Sequence, residues 1–174
     1  NVSLGGPIKQ DKLWFFTAHR KFRYANTIAG NFYNATQDTL FYSPADGANG
    51  RPLRQAFIDE GNRTNSVRFT WQASTRNKIN LSYDIQNTCL CHVSLTGLLA
   101  PEASQVRFYK NPNYLLQGKW NFVVSNRMLF EAGSTTLMFD WPNYRQPGTE
   151  FAIPVTEASR GYQYGAAIFW STGH

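Results

Sequence analysis

No run of about 18 consecutive apolar residues occurs anywhere in the 174-residue chain, so no transmembrane helix is expected. That leaves membrane β-strands open, because alternating apolar and polar residues halves the local hydrophobicity. No secretory leader is visible. Only two cysteines occur, Cys89 and Cys91, too few for a disulfide framework. No nucleophile elbow, phosphate loop or zinc-protease helix is present. The three histidines, His19, His92 and His174, have no spacing that suggests a triad or a metal site. An enzyme is therefore not expected, and no cofactor. The net charge of +6 would permit nucleic-acid binding. However, the basic residues are dispersed, the densest cluster is His19–Arg23, and no RNA-binding signature appears. Nucleic acid is not an expected partner.

Aromatic residues, by contrast, are abundant: five Trp, nine Tyr and thirteen Phe make up 16% of the chain. A soluble β-rich core favours aromatics, and so do the interfacial girdles of a membrane barrel. The most informative stretches are Ser66–Gln86 and Leu116–Phe139. In the first, Val67, Phe69, Trp71 and Ala73 alternate with Arg68, Thr70 and Gln72. After a turn at Ser74–Asn77, Ile79, Leu81, Tyr83 and Ile85 alternate with Lys78, Asn80, Ser82, Asp84 and Gln86. Side chains on a strand point to opposite faces at period two, so each segment has one apolar and one polar face. In the second stretch, Leu116, Gly118, Trp120, Phe122 and Val124 alternate with Gln117, Lys119, Asn121 and Val123. Ser125–Arg127 turns the chain. Met128, Phe130, Ala132 and Ser134 then alternate with Leu129, Glu131, Gly133 and Thr135.

The rest of the chain sets these hairpins in order. Residues 1–11, with Gly5, Gly6 and Pro7, read as a linker or strand approach. Strands are expected at 12–23, 64–73, 78–87, 114–124, 128–139 and 160–170. The links between them run long, short, long, short, long. The long ones span 24–63, 88–113 and 140–159, and Leu53–Glu60 could form a short helix within the first. Ten strand residues at about 3.4 Å rise, tilted about 45°, cover roughly 24 Å, near the height of a barrel's apolar band. The expected fold is all-β: an antiparallel up-and-down meander, an arc of about six strands from a large outer-membrane β-barrel. Short turns would be periplasmic and long loops extracellular.

Several short segments resemble a known family. GGPIKQDKLWFF at Gly5–Phe16 resembles the junction where the plug of a TonB-dependent outer-membrane receptor passes into its first barrel strand. The likeness is greatest to the Oar-like group. NYLLQGKW at Asn113–Trp120, NRMLFEAG at Asn126–Gly133, and PEA at Pro101–Ala103 fit the same resemblance in order and spacing. It implies a plugged barrel of about twenty-two strands that captures a ligand outside the cell and imports it by energy coupling. The implied partners are outer-membrane lipid, the chain's own plug domain and remaining barrel strands, the TonB complex, and an unidentified ligand. It implies the outer membrane of a Gram-negative bacterium. Neither a plug body nor a coupling box is present, so the chain reads as a fragment with both ends cut. In that setting the glycosylation-like triplets at Asn34 and Asn62 are chance matches.

On this reading Arg68, Lys78, Asp84, Lys119 and Glu131 face the lumen, lining a path, contacting a plug, or simply solvated and paired across strands. Val67, Phe69, Trp71, Ile79, Leu81, Tyr83, Trp120 and Phe122 face lipid. Cys89, Cys91 and His92 are soft ligands that lack a recognisable fourth, so no metal is expected; a local disulfide or an external pairing is open. Two rival folds are a soluble secreted β-sandwich that binds a glycan or a protein, and a small closed carrier barrel of lipocalin type.

Overall fold

The computed structural model describes residues 1–37, 39–45, 54–108 and 112–168. The chain is all-β, an antiparallel sheet in meander order. Its strands are β1 (Val2–Lys9), β2 (Leu13–Phe32), β3 (Gln55–Ser74), β4 (Asn77–Val93), β5 (Gln105–Arg107), β6 (Asn113–Ser125), β7 (Met128–Met138) and β8 (Asn143–Arg145). A 3₁₀ turn, Pro101–Ala103, precedes β5. A separate two-stranded sheet pairs β9 (Val155–Glu157) with β10 (Tyr162–Tyr164).

The residues cluster into two compact units. The first comprises Asn1–Phe22, Asn62–Asn87 and Pro112–Asp140. It is made of hairpins with the expected short turns. Ser74 Oγ accepts the Arg76 and Asn77 backbone N–H groups at 3.3 and 3.1 Å, closing the β3–β4 turn. Ser125 Oγ accepts the Arg127 N–H in the same way at 3.3 Å. The β1–β2 turn places Asp11 at φ 56°, a left-handed conformation that Asp tolerates better than most residues.

Register then sets the faces. Ile79, Leu81, Tyr83 and Ile85 lie opposite Trp120, Gly118, Leu116 and Tyr114. These in turn lie opposite Ala132, Ser134, Thr136 and Met138. On the reverse face Lys78, Asn80 and Ser82 lie opposite Asn121, Lys119 and Gln117, followed by Glu131, Gly133 and Thr135. Apolar meets apolar across β4 and β6, and β7 continues that face with Ala132 and Met138 but also with Ser134 and Thr136; the short β6–β7 turn holds the second register.

The second unit comprises Arg23–Gly61, Thr88–Asn111 and Trp141–His174. It holds the buried apolar core, in which five alanines, Ala56, Ala100, Ala103, Ala166 and Ala167, join Leu95, Val106 and Tyr164 among the described residues. Gly165 has φ 86°, and a Cβ there would collide with the Ile153 carbonyl oxygen, so this close approach requires glycine.

Five sequence expectations change. Residues 2–9 of the expected junction form a full strand paired with β2. Gly5 fits there because a Cβ would meet the Phe16 ring across the pair at 2.9 Å, and Pro7 is tolerated in a strand at the sheet edge. The 24–63 connection is shorter, since β2 runs on to Phe32 and β3 begins at Gln55. The short helix expected over Leu53–Glu60 is strand from Gln55 onward, and Leu53 lies outside the described residues. The 88–113 and 140–159 connections carry strand at 88–93, β5, β8 and β9. The expected sixth strand over 160–170 reduces to β10, held in the small sheet, and residues 169 and 170 lie outside the described residues. Six long strands remain, with β1 in place of the 160–170 segment.

Both rival architectures lack an element among the described residues. A sandwich needs a second sheet of comparable size, and the only other one has two three-residue strands. A small closed barrel needs its end strands paired, yet β1 pairs only with β2, and β7 only with β6.

Candidate functional site

The first unit presents a groove of about 490 Å³ with a mixed lining, in which Arg68, Asn80, Gln117, Lys119 and Glu131 are joined by Leu81, Gly118 and Ala132. Strand alternation brings its polar side chains to one face, since every second residue of β4, β6 and β7 points that way. Lys119 Nζ lies 3.0 Å from Glu131 Oε1, with both side chains about half exposed. An ion pair this wet contributes little to stability, about 0–1 kcal/mol. Gln117 bridges Ser82 and Thr135 at 3.5 Å on each side, and Thr70 Oγ1 donates to Asn80 Oδ1 at 3.2 Å.

Of the expected lumen residues, Arg68, Lys119 and Glu131 meet in this groove. Lys78 shares the face one pair away, opposite Asn121. Asp84 shares it too but lies opposite Leu115, outside the groove lining. The expected lipid-facing set occupies the reverse face. Trp120 stacks on Phe122 at 5.9 Å and meets Phe130 edge-on at 5.6 Å. Its indole N–H donates to Asn77 Oδ1 at 3.0 Å, beside the short turn. Tyr83 and Tyr114 make a second aromatic contact at 6.0 Å, further from the turns along the same strands.

The second unit is organised by buried polar groups. Cys89 and Cys91 form a disulfide, so neither thiol remains as a metal ligand. Among the described residues no group of three or more His, Cys, Asp and Glu side chains is placed to hold a metal. His92 has a different role. Its Nδ1 lies 2.6 Å from Asp59 Oδ1, and Arg23 Nη2 donates to Asp59 Oδ2 at 2.6 Å. Asp59 is buried while Arg23 is mostly exposed. A carboxylate can be buried this deeply because both its oxygens are charge-paired or hydrogen-bonded. Tyr33 and Phe57 pack around the His92 ring at 6.5 and 5.1 Å.

A second cluster centres on Asn31, which is 1% exposed. Its amide donates to the Thr96 and Leu99 carbonyls at 2.8 and 2.7 Å, and its oxygen accepts from the Tyr162 hydroxyl at 3.0 Å. Tyr162 packs on Tyr42 at 4.7 Å, and burial pushes its hydroxyl pKa far up.

Nearby, Glu102 is 7% exposed, and neither carboxylate oxygen makes a well-aligned hydrogen bond among the described residues. Burial raises its pKa, while the N–H groups of its own backbone, Asn34 and Gly165 pull it back. A carboxyl raised in the folded state stabilises fully below its unfolded value of about 4.5 and loses that contribution as pH climbs through the raised one. The Glu102→Gln variant is therefore expected to gain stability relative to the wild type as pH rises from 4 to 8. Urea midpoints at both pH values measure the gap. A gap that stays constant would contradict the assignment.

Sequence reading did not anticipate Asn31, Asp59 or Glu102. Arg23 carried a faint signal as part of the His19–Arg23 cluster. No family model, curated protein or solved structure matches the chain.

Proposed function

We propose that this chain is part of the wall of an outer-membrane receptor. It would serve energy-coupled, TonB-dependent uptake of a ligand the chain does not identify. The observation that carries the reading is the uncovered apolar face of the first unit. Trp71, Leu81, Phe130 and Met138 are 48, 50, 51 and 53% exposed. Among the described residues no apolar residue of this unit is buried, and the buried apolar ones all belong to the second. A contiguous apolar face of this size marks a surface meant for another apolar phase. With single-layer strands of this length, that phase is the bilayer.

On this reading the aromatic contacts near the short turns, with an indole N–H that keeps a polar partner, form an interfacial girdle. The groove with Arg68, Lys119 and Glu131 faces the lumen, where a plug or a passing ligand meets it. The free edges of β1 and β7 pair with further strands, because lipid leaves no backbone edge unsatisfied. The connections at the strand ends opposite the short turns face the cell exterior and contact ligand. The chemistry is capture and passage, with no bond made or broken.

Membrane fractionation tests this. The protein is expected in the outer-membrane fraction, resistant to carbonate extraction and dependent on detergent for solubility. Recovery as a stable monomer in detergent-free buffer, with none in outer membranes, would refute it and favour a soluble binding module.

A further inference from the structure

One basic cleft in the second unit is not used by this reading. It has a volume of about 500 Å³ and is lined by Arg23, Ala25, Thr27, Arg54, Gln55 and Phe57. Its two cations are held in different ways. The Arg54 guanidinium lies over the Phe57 ring at 4.2 Å and reaches Tyr33 at 5.9 Å. This cation–π contact holds the guanidinium against the ring while leaving its N–H groups unused. No hydrogen bond or ion pair to that guanidinium occurs among the described residues. Arg23 is anchored through Nη2 alone, on buried Asp59. Asp59 in turn is fixed from behind by His92 Nδ1 at 2.6 Å. The remaining Arg23 donors have no partner among the described residues.

Among the described residues no carboxylate lines the cleft. Asp59 has both oxygens engaged, and the next acid along β3, Glu60, takes the Tyr24 hydroxyl at 2.6 Å instead. Thr27 adds a hydroxyl, and Ala25 leaves room between the polar groups. Gln55 donates its amide N–H to the Ile28 carbonyl at 3.0 Å, which holds its side chain. One guanidinium with an unused fork, a second with its remaining donors unused beside its Asp59 pair, and a hydroxyl match a tetrahedral oxyanion better than a neutral ligand.

We propose that this cleft binds an oxyanion of the phosphate class, through the guanidinium of Arg54 and the free donors of Arg23. The assignment rests on the cleft itself and holds whether or not the chain lies in a membrane. The phosphate can arrive on a lipid headgroup or in solution, and both sources present the same oxygens.

Two probes separate these sources. In nonionic micelles at low salt, inorganic phosphate is titrated against the purified protein by ³¹P NMR line broadening. In parallel, micelles doped with phosphatidic acid are compared with micelles doped with phosphatidylcholine. The wild type is expected to bind phosphate, phosphatidic acid, or both. Free phosphate binding identifies a soluble anion; binding of phosphatidic acid alone identifies a headgroup.

For whichever probe binds, Arg54→Gln is expected to weaken binding by about 10-fold or more. Arg54 is exposed, so this change disturbs no buried group. Arg54→Lys keeps the charge but loses the planar fork, and falls in between. Arg160→Gln, at an exposed arginine outside the cleft, is expected to change nothing. The proposal is overturned if the wild type binds neither probe, if Arg54→Gln binds as well as wild type, or if Arg160→Gln weakens binding equally.

Discussion

Leu81→Arg is expected to cost about 2–4 kcal/mol when unfolding is followed in lipid bilayers, the range for a cation at the midplane of a membrane strand. Leu81 suits the test because it is the fifth of the ten β4 positions paired with β6, from Asn77 to Gln86, and so sits near the middle of the apolar band. It is also half exposed, so an arginine there meets no packed core. In water, such a surface change usually falls within about 0.5 kcal/mol of neutral. The two media thus predict different costs for one substitution. The cost is expected to shrink toward the turn, with Phe122→Arg milder than Leu81→Arg. Ser82→Arg, one residue along on the opposite face, is expected to be nearly neutral. Equal effects at positions 81 and 82 would remove the membrane reading.

Asn31→Ala is expected to destabilise the second unit by about 2–4 kcal/mol. Asn31 sits at the end of β2, just after Gly30 at φ 73°. Its three hydrogen bonds gather the 96–99 segment and β10 onto this one side chain. Truncation leaves the Leu99 carbonyl and the Tyr162 hydroxyl without it, both in a region with little water. The Thr96 carbonyl retains the Leu99 N–H at 3.3 Å, which keeps the cost below that of three orphaned groups. Asn31→Asp is the sharper variant. It keeps the shape but aims a carboxylate at two carbonyls, so it is expected to cost at least as much as alanine. Urea unfolding gives the magnitude, and hydrogen exchange at residues 96–99 and 162–164 gives the location. A loss below about 0.5 kcal/mol would show that the network is incidental.

The two units differ in how far the sequence reveals them. β3, β4, β6 and β7 are legible where Val67–Ala73, Lys78–Gln86 and Leu116–Thr135 alternate, because a sheet with two unlike faces must carry that alternation. The polar side of the groove was legible for the same reason, down to Lys119 and Glu131. β1 was hidden by Gly5, Gly6 and Pro7. Those residues signal a turn, but here Gly5 makes room for the Phe16 ring. The far half of β2, from Ala25 to Asn31, shows no two-faced pattern at all. The second unit's core is mostly alanine, and its cohesion comes from Asn31 and Asp59, whose side-chain partners are 33 to 131 residues away. No local periodicity encodes contacts that distant. Cys89, Cys91 and His92 are neighbours in sequence, yet the thiols pair with each other while the imidazole turns to Asp59.

The single-layer character of the first unit also affects how this part of the chain can change over time. In a packed core, each side chain is constrained by the volume its neighbours leave, and one extra methylene is felt. On an uncovered apolar face there is no such mould. Val67, Phe69, Trp71 and Leu81 can exchange among themselves with little consequence, provided each remains apolar. The opposite face can likewise trade serine for glutamine or threonine. Selection on such a sheet acts on a binary property at each position and on the length of the turns, far less on residue identity. The first unit is therefore free to drift, while Asn31, Asp59 and Gly165 in the second are not.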